Sequence, residues 1–206
     1  MYKLANQNYV TCKGKAIYPH LRTPDTFEGN DLGFTIRLMP SVEDAQKFEE
    51  FLRTELDKAA SLPAFAGKKL NDRNALIGMS ETQEGDTVFK FKTKSTYKTK
   101  SGDIINRVIP IYDSQGKPLP KNVDVGHGSI VKVAFSIHPY YKTKTIKGLT
   151  LYLNAVQVLE LVERSDGRSA SDFGFGAEAG GYVAKVTDEV GEDEIPFVDV
   201  AEGADF

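Results

Sequence analysis

The chain has a single cysteine, Cys12, among 206 residues. An intrachain disulfide is therefore excluded, and the composition fits a reducing compartment. No apolar run approaches the roughly 20 residues that a membrane helix needs. The start, MYKLANQNYV, has no basic stretch followed by an apolar one, so no secretory signal is read there. The histidines, His20, His127 and His138, are scattered and have no paired cysteine, so a zinc-binding spacing is missing. There is no G-x-x-x-x-G-K-[ST] phosphate loop and no G-x-S-x-G nucleophile turn. No carboxylate is followed two residues later by lysine, the usual ending of a metal-dependent nuclease motif. The expectation is a protein that is not an enzyme and needs no cofactor or metal.

Charge is present in quantity but unevenly placed. The net charge of -3 averages two opposite parts. Asp166 to Phe206 carries 11 acidic residues against Arg168 and Lys185, a net of -9. Met1 to Ser165 has a net of +6, and within it Val88 to Lys147 carries 12 basic and 3 acidic residues, a net of +9. This asymmetry points to a polyanion-binding body with an acidic tail.

The length suggests one domain with an appendage. Residues 8–18 read as a first strand. In 33–39, Phe34, Ile36 and Leu38 alternate with Thr35, Arg37 and Met39, as a strand requires. Pro40 stops it. Ser41 is a fitting N-cap for a helix over 41–59, with Glu43 and Asp44 in its first turn. Val42, Ala45, Phe48, Leu52, Leu56 and Ala59 form its apolar stripe, which suits a plug or cap on a β core. Residues 60–86 read as loop with short local elements. Strands are expected at 87–97, 104–112, 129–138 and 148–163, with Pro110 marking an edge or bulge. Phe89, Phe91 and Phe135 are assigned to the core. Several strands and one helix suit a small barrel or sandwich. From Ser165 the chain turns to Gly, Ser, Ala, Asp and Glu, a composition expected to be disordered. The boundaries drawn are a domain over 1–164 and a flexible acidic tail over 165–206.

The body also carries the chemistry a single-stranded nucleic acid needs: cations for phosphates and aromatic faces for unstacked bases. One block is Lys90, Lys92, Lys94, Tyr97, Lys98 and Lys100. A second is Arg107 with Tyr112, and a third is Tyr140, Tyr141, Lys142, Lys144 and Lys147. Arg37 and Lys132 complete the candidate set. Lys90, Lys92 and Lys94 fall on one face of a strand whose other face holds Phe89 and Phe91. A solvated lysine-rich strand that discourages edge aggregation is the plainer alternative for that block. His138 is read as structural or adjacent to DNA. A nuclease and a virion or assembly module on a β scaffold stay open as other readings.

In order along the chain stand Thr87-Val-Phe-Lys-Phe-Lys92, Val108-Ile-Pro-Ile-Tyr-Asp-Ser-Gln-Gly-Lys117, Ile130-Val-Lys-Val-Ala-Phe-Ser-Ile-His-Pro-Tyr140, Gly148-Leu-Thr-Leu-Tyr-Leu153 and Val156-Gln-Val-Leu-Glu-Leu161. Gly181-Tyr-Val-Ala184 and the terminal Ala204-Asp-Phe206 follow. Over 87–206 the chain resembles the single-stranded-DNA-binding proteins of T7-type and related tailed bacteriophages. That resemblance implies an OB-fold-like five-stranded barrel with one capping helix and a disordered acidic C-terminal tail. It implies non-sequence-specific binding of single-stranded DNA in phage replication, recombination and repair, with strand annealing, in the cytoplasm of the infected host. It also implies that the tail contacts DNA polymerase and helicase-primase, with Asp205 and Phe206 matching the family's terminal acid and aromatic. A tail long enough to reach a neighbour's basic groove would allow a homodimer.

Overall fold

The computed structural model describes residues 9–164. The elements in chain order are β1 (Tyr9–Val10), β2 (Gly14–Phe27), β3 (Asn30–Met39), α1 (Val42–Ala60), a 3-10 turn at Pro63–Phe65, β4 (Met79–Glu81), β5 (Thr87–Thr93), β6 (Thr96–Lys98), β7 (Ile104–Asn106), β8 (Ile111–Tyr112), β9 (Ile130–Tyr141) and β10 (Lys147–Glu160). Strands β9, β2, β3, β5 and β10 neighbour one another in that order, and β10 pairs back onto β9. The result is a closed five-stranded barrel, the OB-type arrangement, in which β5 and β10 run parallel and the other wall pairs antiparallel. Closure leaves the barrel wall itself without a free edge.

Strict alternation builds the wall. Val131, Val133, Phe135 and Ile137 on β9 point inward and are completely buried, as are Leu151 and Leu153 on β10 to within 1%. Ile36, Leu38, Phe89 and Phe91 fill the opposite side. A side-chain period of two leaves the intervening residues on the outer surface. Helix α1 closes one end, as its apolar stripe predicts. Ser41 caps it, its Oγ accepting from the Asp44 amide. The Phe48 ring meets Phe89 edge-on at 4.6 Å and Phe135 at 5.6 Å. Leu52 and Ala59 are fully buried beside it. Burying a side chain of this size contributes roughly 1.5–3 kcal/mol. Val42 departs from the predicted stripe: it starts the helix and is 76% exposed. Glu55 is buried on α1, where it accepts from the Tyr9 hydroxyl at 3.2 Å and the Lys58 ammonium at 2.6 Å.

Several sequence-based boundaries change. The strand expected over 8–18 is divided between β1 and β2, and β2 runs past Tyr18 to Phe27, through Pro19 and Pro24, because irregular register accommodates prolines that would break a regular ladder. The span 104–112 is two short strands separated by an unpaired stretch that buries Ile109. The strand at 87–97 ends at Thr93, and 96–98 pairs instead with 104–106 as a separate two-stranded hairpin. Strand β9 continues to Tyr141, so Tyr140 and Tyr141 lie on the strand and not in the following loop. The helix also enters between the second and third barrel strands, as its early position in the sequence required.

Gly148 is where the wall is tightest. Residue 76 runs alongside the start of β10, with Leu149 N donating to Leu76 O at 2.7 Å and Leu76 N to Lys147 O at 2.9 Å. A Cβ on Gly148 would stand 1.8 Å from Leu76 O, and the backbone there has φ 142°. Only glycine fits this approach.

Candidate nucleic-acid interface

The outer surface of the barrel follows from the registers. Arg37 on β3 is the partner of Lys90 on β5, and Thr35 of Lys92. Lys92 is in turn the partner of Tyr152 on β10, which faces Ser136 on β9. Two and four residue pairs further along the β9–β10 hairpin, His138 faces Thr150 and Tyr140 faces Gly148. In the other direction Lys132 faces Gln157, whose β8 partner is Tyr112. The outward positions of β3, β5, β9 and β10 so named include four cations, three tyrosine or histidine rings, and no carboxylate. From Lys132 to Tyr140 the row spans roughly 26 Å at about 3.3 Å per residue.

Arg107 is the focus of this surface. It follows the β6–β7 hairpin, and its amide donates to Ser95 O at 2.6 Å. Its guanidinium lies 5.1 Å from the Tyr97 ring centroid and 5.6 Å from that of Tyr152. Arg107 therefore joins the hairpin to the barrel wall through two aromatic faces. Its Nε is buried without a hydrogen-bond partner among the described residues. Among the described residues, no ion pair joins Arg37, Lys90, Lys92, Arg107 or Lys132 to a carboxylate. A guanidinium lying over rings keeps its planar fork of donors for a phosphate. The His138 ring lies 5.1 Å from that of Tyr152, and its Nε2 is 3.3 Å from Ser136 Oγ.

Lys90 feels its crowded position. Half-burial first, then the nearby charges of Arg37 and Lys92, hold its ammonium below the usual lysine range. The charge there is held at a free-energy cost that an incoming anion relieves. Lys90, Lys92 and Tyr140 border a shallow cleft of about 240 Å³ together with Gly78, Met79 and Thr150. Burial raises the Tyr140 hydroxyl above the usual tyrosine range.

Not every predicted residue joins this surface. Arg37, Lys90, Lys92, Tyr97, Arg107, Tyr112, Lys132 and Tyr140 are linked through the registers and ring contacts above. Lys94, Lys98 and Lys100 are exposed after β5 and on the β6–β7 hairpin. Lys142 and Lys144 are exposed in the turn that follows β9. Tyr141 points to the opposite side from Tyr140, packs against the core, and carries the Lys68 and Lys147 ammonium groups over its ring at 5.8 and 6.0 Å. Lys147 is 3% exposed, and its Nζ donates to Lys69 O at 2.8 Å and to the Asp72 carboxylate. Its charge fastens the 69–76 segment to the hairpin and is not presented to solvent. Phe34, next to this face on β3, is core. Asp205 and Phe206 lie outside the described residues. Sequence reasoning missed Tyr152. The signal was available in Gly148-Leu-Thr-Leu-Tyr-Leu, where alternation sets Thr150 and Tyr152 opposite Leu149, Leu151 and Leu153.

Barrel order, cap and outer face together define a small OB-type barrel with a basic, tyrosine-bearing surface. The model of the family described as single-stranded DNA-binding protein, bacteriophage T7, matches residues 36–161, more than half the chain. The chain belongs to that family. It is 34% identical over 131 residues to the single-stranded DNA-binding protein of Escherichia phage T7, covering 61% of this chain and 55% of the relative. It is 34% identical over 105 residues to the corresponding protein of Enterobacteria phage T3, covering 49% of this chain and 44% of the relative. The chain thus spans about half the length of the curated relatives it matches. In structure it superposes with a TM-score of 0.64 on a single-stranded DNA-binding protein encoded by bacteriophage T7, at 22% identity over 87% of this chain and 99% of that one. A C-terminally truncated single-stranded DNA-binding protein of bacteriophage Enc34 gives 0.53 at 11% identity, over 74% of this chain and 85% of that one. These two likenesses bear on the fold, and they agree with the closed barrel.

Proposed function

We propose that this protein binds single-stranded DNA without sequence readout, along the outer face of β3, β5, β10 and β9. The observation that carries the reading is Arg107, a cation with no carboxylate partner among the described residues, lying over the Tyr97 and Tyr152 rings beside Arg37, Lys90 and Lys92. Phosphates meet the cations, and bases stack on the rings, which accept any base. The family's names support the same ligand. Coating of single strands would serve phage DNA replication, recombination, repair and annealing in the cytoplasm of the infected host.

The sequence of the tail adds a regulatory part to the proposal. A net charge of -9 tethered to a basic surface is a competing polyanion at an effective concentration of order mM. DNA would displace it and release Asp205-Phe206 to replication partners, DNA polymerase and helicase-primase. Exchange of tails between neighbours would give a homodimer.

A gel-shift comparison of single-stranded and duplex DNA of one sequence tests the central reading. Preference for the single strand is expected, with affinity falling on a log–log salt plot by about 0.7 per phosphate contact. Equal affinity for both forms would favour an assembly module, and metal-dependent loss of the DNA a nuclease. Removal of the last ~20 residues should tighten binding at low salt; unchanged affinity would remove the competing-tail mechanism.

A further inference from the structure

Strand β2 carries an aromatic residue that the interface above does not use. Tyr18 has φ 44°, in the left-handed region that a bulky residue rarely enters. It interrupts the β2–β3 register between Ile17 and His20. Core packing does not account for this backbone, because Tyr18 is 65% exposed. Its ring lies 4.8 Å from that of His127, at an interplanar angle of 36°. The Tyr18 amide donates to His127 Nδ1 at 3.4 Å, which holds the two side by side. His127 is also exposed. The pair borders a cleft of about 270 Å³ with Pro19, His20, Gly126 and Arg164. Backbone outliers of this kind persist where surrounding contacts fix them, and they gather at ligand sites.

The registers bring Ile17, the residue before this ring pair's tyrosine, to the surface already described. Ile17, the residue before Tyr18, is the partner of Arg37, and Arg37 is the partner of Lys90. Strands β10, β5, β3 and β2 are successive neighbours. On that side of the closed barrel, three spacings of about 4.8 Å make a surface path of roughly 14 Å from β10 to β2. That is about four nucleotides at the 3.4 Å spacing of a stacked strand, and fewer if the strand is stretched.

We propose that Tyr18 and His127 form a second base-stacking platform, on which a single strand passing Tyr152 and Arg37 continues across β2. The proposal rests on the reading given under Proposed function and extends its path. Two exposed rings fixed by a backbone contact offer a π-face with little motion left to lose on binding. Arg37 supplies phosphate contact on the way. Tyr18 lies outside the residues matched by the family, 36–161, so the family does not assign it.

The test compares Tyr18→Gly, Tyr18→Phe and the unaltered full chain on oligothymidines of about 4 and about 14 nucleotides, within the range covered by single OB barrels. Glycine takes a left-handed backbone without strain, so Tyr18→Gly removes the ring and leaves the fold relaxed. The expected result is an affinity for the longer oligonucleotide lowered on the order of 10-fold in Tyr18→Gly, unchanged affinity for the shorter one, and near-normal binding by Tyr18→Phe. Equal affinities of Tyr18→Gly and the unaltered chain for the longer oligonucleotide would overturn the platform. So would an equal loss on both lengths, which reports a general disturbance. Failure of the unaltered chain to bind either length would instead remove the underlying DNA-binding reading, and the platform with it.

Discussion

Replacing Tyr152 by Ala removes the ring against which Arg107 rests at 5.6 Å and His138 at 5.1 Å. Loss of one base-stacking partner costs about 1–3 kcal/mol of binding. Loss of one of two cation–π supports of Arg107 adds about 0.5–1 kcal/mol where the ring is partly exposed. The two overlap, so the combined loss should fall near 1.5–3 kcal/mol, roughly a 10- to 150-fold weaker Kd. Tyr152 is half-buried on the outer face, so the barrel should survive with a stability change of about 1–2 kcal/mol. Fluorescence anisotropy with a labelled oligothymidine, repeated over a salt series, gives affinity and slope together. Tyr152→Ala should shift the line downward and leave its slope intact, because no charge is removed. Arg107→Ala should weaken binding and flatten the slope by about 0.7. A Tyr152→Ala affinity within two-fold of the unaltered protein would refute the stacking role. A slope flattened as much as in Arg107→Ala would show that the ring acts only by holding the guanidinium.

Gly148→Ala forces a Cβ to 1.8 Å from Leu76 O, and should lower unfolding free energy in urea by about 2–4 kcal/mol. A loss under 1 kcal/mol would show that the 76–81 segment yields easily. Lys147→Met removes the ammonium that holds Asp72 below the usual aspartate range, a hydrogen bond being the main cause. A depressed folded value stabilises above the usual aspartate range and is lost as pH falls through it, so this variant should lose stability at neutral pH and show a shallower acid limb in urea titrations. Its DNA salt slope should not change, because that charge is buried. Lys90→Gln relieves a cation held by half-burial beside Arg37 and Lys92. It should raise stability by a few tenths of a kcal/mol after solvent screening, while weakening DNA binding; a loss of stability would contradict the strained-cation account.

Periodicity made much of this molecule readable before the structure. Phe89, Phe91 and Phe135 are core because alternation leaves them no other face, and Ser41 caps α1 through its own hydroxyl. Lys90 and Lys92 lie outward for the same reason. What escaped was set by contacts distant in sequence. Residues 8–18 read as a strand that stops at Tyr18, yet β2 goes on through Pro19 and Pro24, since its irregular pairing needs fewer ladder bonds. Lys147 reads as one more basic residue, and only the approach of 69–76 makes it a buried anchor. Tyr140 and Tyr141 look equivalent until β9 is seen to include both, which sends one ring outward and the other onto the core. Arg107 was legible as a cation, but its contacts with Tyr97 and Tyr152 join rings 55 positions apart in the chain.

Backbone amide chemical-shift mapping during titration with an oligothymidine tests the central claim most directly. The account predicts the largest changes at Lys90, Lys92, Arg107, Tyr112, His138, Tyr140 and Tyr152, with silence along the outer helix face at Glu43 and Glu50. Changes centred on α1, with the Arg107 and Tyr152 amides undisturbed at saturation, would contradict it.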